Sequence, residues 1–293
     1  MKDEKLTQQL AAILSDYDSA APRATADDLR DLWLQFDPKS MNVIKAELRE
    51  QQETTGIPVP VLKSIGDGVA KAARKRPDDL LPLAQLLWNE YGREGRVVAT
   101  VPLGAIELAD PEKVVPLLKD MSRTCLTWED ADRLAMYALE PVVRKEPDEW
   151  LSAVEPWLVD ENVWTRRAGV IVVGRLPMKQ PGYAAHCLIL LERLLHDDDV
   201  DVRKAVSFAI RLVAVADVGP VRDFLARNVP AGDPAATWVL CDAIRSMAKK
   251  YLPQLVDLLP LYEEWSADEA LSAKERRSID SAVSTLRKAA ESA

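Results

Sequence analysis

One short stretch places an aromatic ring and a carboxylate on the same face of a predicted helix. Thr127 is predicted to cap the helix N-terminus, with Asp130 at the third position of a capping box. The i, i+4 spacing then puts Trp128 and Asp132 side by side. A fixed carboxylate next to an aromatic ring stabilises a developing positive charge and can orient a water molecule. This stretch therefore has the residue types for hydrolysis through a cationic intermediate.

A second stretch, 35 positions further along, combines an aromatic and a basic side chain on one helix face. Asn162 is predicted to cap a helix on whose first turn Trp164 and Arg167 share a face. A guanidinium group binds phosphate through two parallel hydrogen bonds and so fixes the position of a nucleic-acid backbone. The two stretches together indicate a site that holds a phosphate and stabilises a cation.

Each of these residues also has a structural interpretation, which the sequence leaves open. Trp128 on a first helical turn is compatible with a core or staple position. Asp132 is compatible with a surface carboxylate in an ion pair. Arg167 and Lys204 are compatible with ladder residues that join neighbouring loops of a repeat array.

The elements that must carry these residues repeat along the chain. Apolar residues recur every three or four positions, and similar helix openings, each containing a proline, begin at residues 77, 110 and 146. A closer sequence repeat relates residues 162–168 to residues 199–205, 37 positions later. Both segments have an Asx cap, a valine, two adjacent basic residues and an alanine. A period of this length made from two helices is typical of HEAT-like solenoids.

We therefore predict an all-α fold, a solenoid of HEAT-like antiparallel helix pairs in one continuous domain over residues 1–293. Residues 1–40 are predicted to form N-terminal capping helices, and 251–293 are predicted to form C-terminal helices. The segment 18–28 is the only long loop candidate. The 11 glycines and the absence of strand-like alternation exclude a β architecture.

The composition excludes several classes of function. The three cysteines, Cys125, Cys187 and Cys241, are scattered without pairing or CxxC spacing, and His186 and His196 have no companion ligands. We expect no metal site and no cofactor. The charged N-terminus and the short apolar runs predict a soluble cytoplasmic protein with no membrane partner. We also expect a monomer.

The net charge of −9 argues against extended electrostatic contact with nucleic acid, but the charge is unevenly distributed. Residues 161–215 contain 8 basic and 6 acidic side chains, a net charge of +2. A local basic face on an acidic molecule remains compatible with the sequence.

The two helix starts resemble the bacterial DNA alkylation-repair glycosylases of the AlkD-like type, which are HEAT-repeat proteins. That family has a tryptophan, an aspartate four residues later, and an Asn-x-Trp-x-x-Arg helix start about thirty-five residues after the aspartate. Trp128, Asp132, Asn162, Trp164 and Arg167 occupy these positions, with 35 residues between the aspartate and the arginine.

Two further stretches resemble the same family. Residues 202–211 are similar to its lysine–alanine–aromatic–arginine helix, with Lys204 and Phe208 in the basic and aromatic positions. Residues 56–60 are similar to its glycine–isoleucine–x–x–proline helix entry. The resemblance covers about residues 40–250.

The resemblance implies a C-shaped solenoid whose concave face binds duplex DNA and which hydrolyses the N-glycosidic bond of cationic N3- or N7-alkylated purines. Asp132 would stabilise the sugar cation and orient water, and Arg167 would hold a phosphate. Both side chains are expected to be solvent-accessible and to line one cleft with Trp128 and a later aromatic residue. Further candidate DNA contacts are Trp164, Lys204 and Phe208.

The chain departs from the family pattern in its N-terminal part. The family carries an aromatic and an amide side chain there that reach toward the lesion, and those positions hold Glu47 and Pro58. Two alternatives to an active glycosylase stay open: a non-catalytic DNA-binding relative and a HEAT-type protein-interaction scaffold. Salt-dependent duplex binding separates the scaffold from the other two, and base release separates those from each other.

Overall fold

The computed structural model describes the backbone of residues 2–38 and 46–292 and the side chains of 4–38 and 49–292. All regular structure in those ranges is helical, with no β-strand, which confirms the predicted all-α class. Within the same ranges, no helix is both long and apolar enough to cross a membrane.

Contacts divide the chain into two compact units, Met1–Pro147 and Asp148–Ala293. The boundary falls at the first residue of a helix rather than in a linker. The single continuous array over residues 1–293 stays a prediction.

The first unit consists of short to medium helices in two layers. Helices α4 (Val59–Ala73) and α6 (Gly92–Glu107) pack side by side in one layer, and α2 (Pro22–Trp33) packs against α5 (Pro77–Glu90) in the other. A π-helical stretch, Leu134–Leu139, joins α8 (Trp128–Arg133) to α9 (Glu140–Lys145) and packs against α6. The helices are α1 (Lys2–Ser15), α2 (Pro22–Trp33), α3 (Ala46–Gln51), α4 (Val59–Ala73), α5 (Pro77–Glu90), α6 (Gly92–Glu107), α7 (Pro111–Ser122), α8 (Trp128–Arg133) and α9 (Glu140–Lys145).

The second unit repeats the two-layer arrangement. One layer is a series of four helices, each packed against the next: α11 (Val163–Arg175), α13 (Val200–Ala216), α15 (Pro234–Arg245) and α17 (Ala273–Ala290). The other layer contains α12 (Ala184–Glu192), α14 (Val218–Arg227) and the 3₁₀ segment Leu252–Leu258. The helices are α10 (Pro147–Val154), α11 (Val163–Arg175), α12 (Ala184–Glu192), α13 (Val200–Ala216), α14 (Val218–Arg227), α15 (Pro234–Arg245), α16 (Leu259–Ser266) and α17 (Ala273–Ala290), with further 3₁₀ turns at Glu155–Val159, Leu176–Met178 and Pro181–Tyr183.

Proline sets several helix starts, as the sequence predicts. Pro77, Pro111 and Pro147 each occupy the first helical position, where the missing N–H has no intrahelical partner to lose. The predicted long loop at 18–28 is wrong, because Pro22 in the same way starts a helix, α2, within it. The connection between α1 and α2 is therefore much shorter than expected.

The repeat period predicted from the sequence recurs in the side-chain contacts. Ion pairs and hydrogen bonds within each unit join residues 34 to 38 positions apart. They include Arg93–Glu129, Arg96–Asp130, Lys113–Asp78, Arg193–Glu155, Ser207–Asp242, Arg222–Asp257 and Arg227–Glu192. Most are exposed and contribute little to stability, whereas the first two are buried and set the position of α8.

Gly174 allows α11 and α13 to approach each other closely. A Cβ atom at position 174 would lie 2.4 Å from the Cβ of Ala209 and 2.6 Å from its Cα. We expect Gly174→Ala to lower the free energy of unfolding by about 2–3 kcal/mol, because the backbones of two packed helices must separate. Urea denaturation of both variants checks this. The matched control is Gly182→Ala, where nothing lies within 4 Å, and equal losses in the two variants would contradict the expectation.

Glu107 is a fully buried carboxyl group at the end of α6. Neither carboxyl oxygen has a hydrogen-bond partner among the described residues. Burial, and to a smaller degree the nearby Glu140, raise the pKa of Glu107 from 4.5 to about 10. The folded unit therefore keeps this group protonated at neutral pH, whereas the unfolded chain ionises it.

Glu107→Gln is accordingly expected to stabilise the protein increasingly as pH rises. Unfolding of the wild type releases a proton above pH 4.5, so its stability falls with rising pH until the folded group titrates near pH 10. Glutamine removes this penalty, and its advantage should grow by up to about 1.4 kcal/mol per pH unit and vanish near pH 4. Denaturant melts between pH 5 and 8 measure it. The exposed Glu112→Gln is the control, and a pH-independent difference for Glu107→Gln would refute the buried neutral state.

Candidate functional site

The start of α8 has the Thr127 cap that the sequence predicts, but the Asp130 carboxylate bonds the backbone of the residue before the cap. Thr127 accepts a hydrogen bond from the Asp130 backbone N–H at 3.3 Å. The Asp130 carboxylate accepts from the backbone N–H of Leu126 at 3.0 Å. This anchors the residues that precede the helix, and it orients the first turn that carries Trp128 and Asp132.

A buried ionic network lies behind this first turn. Arg96 donates to Asp130 at 2.7 Å, and Arg93 donates to both oxygens of Glu129, at 2.7 and 3.1 Å. Arg133 completes the set with a 2.8 Å bond to Glu129. Burial raises the pKa of Glu129, but the two guanidinium groups outweigh burial and hold it below its ordinary value. Glu129 and Asp130 are thus held by guanidinium groups from α6 and from α8 itself.

The segment before α4 is tied to the same network. The Gln52 side-chain amide donates to Thr127 Oγ1 and to Asp130 Oδ1, each at 3.3 Å. Glu94 accepts from the hydroxyl of Thr54 at 2.7 Å and from the backbone N–H of Gly56 at 3.1 Å. The helix entry at residues 56–60 is therefore held against α6, and Gln52 connects it to α8.

Of the network residues, sequence reasoning named only Asp130, as part of a capping box, and missed the arginines and Glu129. The only available signal was the density of charge at the start of α6, Arg93-Glu94-Gly95-Arg96, within an otherwise apolar repeat. A buried helix start with three charged residues requires partners of opposite sign nearby. The spacing of 34 and 36 residues between these arginines and the acids of α8 points to the partners.

The expected solvent accessibility of Asp132 and Arg167 is wrong. Asp132 is 7% exposed and Arg167 is 6% exposed. Residues 129–132 are all buried, because α8 packs against both α6 and the π-helical stretch and so has no fully exposed face. Trp128, at the rim of the same turn, is half-buried.

The second helix start confirms the predicted cap. The Asn162 side chain accepts from the backbone N–H groups of Trp164 and Thr165, at 2.9 and 3.1 Å. Trp164 is half-buried on this first turn. Arg167 donates to the backbone carbonyl of Asp201 at the start of α13, and this contact explains its burial.

The first basic residue of each repeated pair bonds the loop that precedes its own helix, and Arg167, the second residue of its pair, joins two repeats through the Asp201 carbonyl. Arg166 pairs with Asp197 at 2.8 Å and donates to the carbonyls of Asp160 and Glu161. Arg203 makes the equivalent bonds to the carbonyls of Asp197 and Asp198. The first basic residue of each pair is thus a structural residue.

The second residue of each pair remains the functional candidate. Arg167 reaches Asp201, and Lys204 lies exposed with a 3.2 Å ion pair to the carboxylate of Asp201. One turn further along α13, Phe208 is half-buried beneath the Arg211 guanidinium, which lies 5.3 Å from the ring centroid. These residues form one polar and aromatic strip on α11 and α13.

The predicted residues therefore gather into two groups, one in each unit. Trp128 and Asp132 share the first turn of α8. The other group comprises Trp164, Arg167, Lys204 and Phe208. Whether all six line a single concave cleft, as the resemblance implies, stays a prediction.

Comparison with known proteins decides the family. The family model described as DNA alkylation repair enzyme matches residues 29–247, well over half of the chain. The chain belongs to this family. The match includes both helix starts and the entry at residues 56–60. Comparison with curated proteins returned no match.

One solved structure supports the fold of this DNA alkylation repair family member. The crystal structure of smu.31 from Streptococcus mutans UA159 is 18% identical, with a TM-score of 0.50, and the match covers 65% of this chain and 99% of that one. Two engineered proteins from a structural genomics consortium are each 14% identical with a TM-score of 0.33. They cover 99% and 95% of this chain and 98% and 77% of their own.

The two departures from the family pattern have different outcomes. Pro58 is half-buried and occupies the N-cap position of α4, so it sets the start of that helix. The side chain of Glu47 lies outside the described residues.

Proposed function

We propose that this member of the DNA alkylation repair enzyme family is a monofunctional alkylpurine DNA glycosylase. The observation that carries the proposal is the start of α8: a half-buried tryptophan and a carboxylate four residues later, on a helix that a buried ionic network holds in place. The family match over residues 29–247 supports DNA as the substrate.

The reaction needs few groups, because an N3- or N7-alkylated purine is already positively charged. The bond between the sugar C1′ and the base nitrogen breaks, and its electron pair neutralises the departing base. The sugar becomes an oxocarbenium-like cation, which Asp132 stabilises while Trp128 shields it. A water oxygen then bonds to C1′, and its proton passes to the Asp132 carboxylate and on to solvent. The products are a free base and an abasic site.

The burial of Asp132 is compatible with this role. A carboxylate that is 7% exposed meets little bulk water, so its attraction for a cation is screened less than at the surface. Trp128 is half-buried, so part of its ring can meet a substrate sugar.

The decisive experiment is base release by the wild-type protein. A duplex that contains 7-methylguanine or 3-methyladenine is incubated at low salt, and free base is measured by chromatography. Release above the spontaneous rate supports the proposal, and its absence, in protein whose melting curve shows it to be folded, overturns it. Unmodified duplex is the control.

Arg167→Ala is expected to weaken duplex binding and to reduce the slope of log affinity against log salt by about one, the contribution of one phosphate. Binding titrations at four or more salt concentrations measure the slope. Arg193→Ala removes an exposed arginine that pairs with Glu155, and it should leave the slope unchanged. An unchanged slope in Arg167→Ala would exclude a phosphate contact at this residue.

The burial of Asp132 and Arg167 favours a second candidate, a non-catalytic DNA-binding relative. Both side chains are also tied into the protein, Arg167 through the Asp201 carbonyl. In that case methylated duplex binds with a salt-dependent affinity but no base is released. Absence of both binding and release would favour the protein-interaction scaffold.

A further inference from the structure

The repeated helix start of the second unit occurs a third time, in α17. The side chain of its N-cap residue, Ser272, accepts a hydrogen bond from the backbone N–H of Glu275. An adjacent basic pair, Arg276 and Arg277, follows four and five positions after this cap. The basic pairs of α11 and α13 stand at the same distances from the caps of those helices. This third copy lies outside residues 29–247, which the family model matches.

The first arginine of the third pair has the structural role of its counterparts. Arg276 donates to the backbone carbonyls of Ser266 and Asp268, in the residues that precede α17. The corresponding arginines of α11 and α13 bond the residues before their own helices in the same way. The three helices therefore begin with the same set of contacts.

The second arginine, Arg277, is the counterpart of Arg167 and Lys204, the candidate DNA contacts on α11 and α13. Its side chain is exposed and donates to the carbonyl of Ala273, one turn earlier in the same helix. It has no ion pair to a described residue. An exposed guanidinium without a carboxylate partner can bind a phosphate through two parallel hydrogen bonds.

Two lysines extend the exposed face of α17 that carries Arg277. Lys274 lies three positions before the arginine and Lys288 lies eleven positions after it, and the helix period brings all three to one face. Ser281 and Ser284 occupy the positions between them. Both lysines are exposed, and neither has an ion pair to a described residue. The face thus combines three cations with two hydroxyl groups.

The carboxylates of this region are bound elsewhere on the last two helices. Glu263 of α16 pairs with Arg287 at 2.7 Å, and Asp280 accepts from the hydroxyl of Ser266. Glu275 belongs to the capping box at the start of α17. The helix has five basic and two acidic residues, a net charge of +3 on a chain whose total is −9. Its exposed face is therefore complementary to a polyanion.

The packing of the layer brings this face within reach of a duplex that contacts α13. Helix α13 packs against α15, and α15 packs against α17. Packed neighbouring helices lie about 8–10 Å apart, so α17 lies roughly 16–20 Å from α13. Each base pair adds about 3.4 Å to a duplex, and this distance therefore corresponds to about five or six base pairs.

We propose that the exposed face of α17, with Lys274, Arg277 and Lys288, binds the phosphate backbone of duplex DNA. It extends the DNA-binding surface by one repeat beyond the residues that the family model matches. The inference rests on duplex DNA being the partner, as in the proposed function, but it does not depend on base excision.

The test is binding of an unmodified duplex of about 25 base pairs to the full chain, titrated at four or more salt concentrations. Arg277→Ala should weaken binding and reduce the slope of log affinity against log salt by about one. The triple variant Lys274→Ala, Arg277→Ala, Lys288→Ala should reduce it by up to about three. Arg277→Lys keeps the charge and should keep the slope.

The matched control is Arg287→Ala, which removes one positive charge from the same helix on the side of α16. It should leave the slope unchanged. A triple variant with the wild-type slope, or equal losses in Arg287→Ala and Arg277→Ala, overturns the proposal. Melting curves verify that each variant is folded.

The failure of this site is distinguishable from the failure of the proposed function. If Arg167→Ala lowers the slope and the triple variant does not, the site on α17 is wrong and DNA binding stands. If the triple variant lowers the slope but the wild type releases no alkylated base, base excision is wrong and the site on α17 stands.

Discussion

Asp132→Asn is expected to slow release of 7-methylguanine by about 10²–10³-fold while duplex affinity stays within a factor of two or so of the wild type. The charge of the carboxylate is required only as the sugar becomes cationic, and an amide of the same shape cannot supply it. The loss corresponds to about 2.7–4 kcal/mol in the activation barrier. Single-turnover base release and a separate binding titration measure the two quantities.

The matched control for this variant is Asp120→Asn, which removes an exposed carboxylate at the end of α7. It should leave base release unchanged. A melting curve of Asp132→Asn distinguishes lost chemistry from lost structure, since the carboxylate is buried and its replacement also changes the interior of the first unit. If Asp132→Asn retains more than about a tenth of the wild-type rate, Asp132 does not stabilise the reacting sugar.

Asp130→Ala is expected to lower the free energy of unfolding by about 3–5 kcal/mol, the largest stability effect we foresee for a single side chain. Its carboxylate is 2% exposed and receives the Arg96 guanidinium at 2.7 Å, the Leu126 N–H at 3.0 Å and the Gln52 amide at 3.3 Å. Removing it leaves the buried Arg96 charge without its partner, takes the acceptor from the Leu126 N–H, and leaves the Gln52 amide with Thr127 alone. Chemical denaturation measures the loss.

Asp120→Ala provides the contrast for the stability prediction as well. Its pair with Arg123 has the same chemistry but is largely exposed, so its loss should change stability very little. Asp130→Asn should fall between the two, because the amide keeps one acceptor but loses the charge. If Asp130→Ala lowers the free energy of unfolding no more than Asp120→Ala does, the network does not hold α8 in place.

Two aspartates, two positions apart on one short helix, thus have separate expected roles. Asp130 anchors the helix to α6 and to Gln52, and Asp132 is the candidate for chemistry. Asp130 variants should lose stability but keep the rate of base release per folded molecule. Asp132→Asn should keep stability but lose that rate, and this contrast would separate positioning from catalysis.

The sequence by itself determined the features that depend on neighbouring residues. Helix starts follow from local hydrogen bonds, so Asn162 and Thr127 could be recognised as caps and Pro77 as a first helical residue. The repeat period follows from periodic apolar residues, and it reappears as side-chain bonds across 34 to 38 positions. The i, i+4 pair of Trp128 and Asp132 follows from helix geometry alone.

Only the tertiary structure decided how these local elements are covered. Whether Asp132 is exposed depends on what packs against α8, and nothing in residues 127–132 encodes the position of α6. Arg166 reaches the Asp197 carboxylate and Arg167 reaches the Asp201 carbonyl, and these partners depend on the rotation of α11 about its axis, which the adjacent pair does not specify.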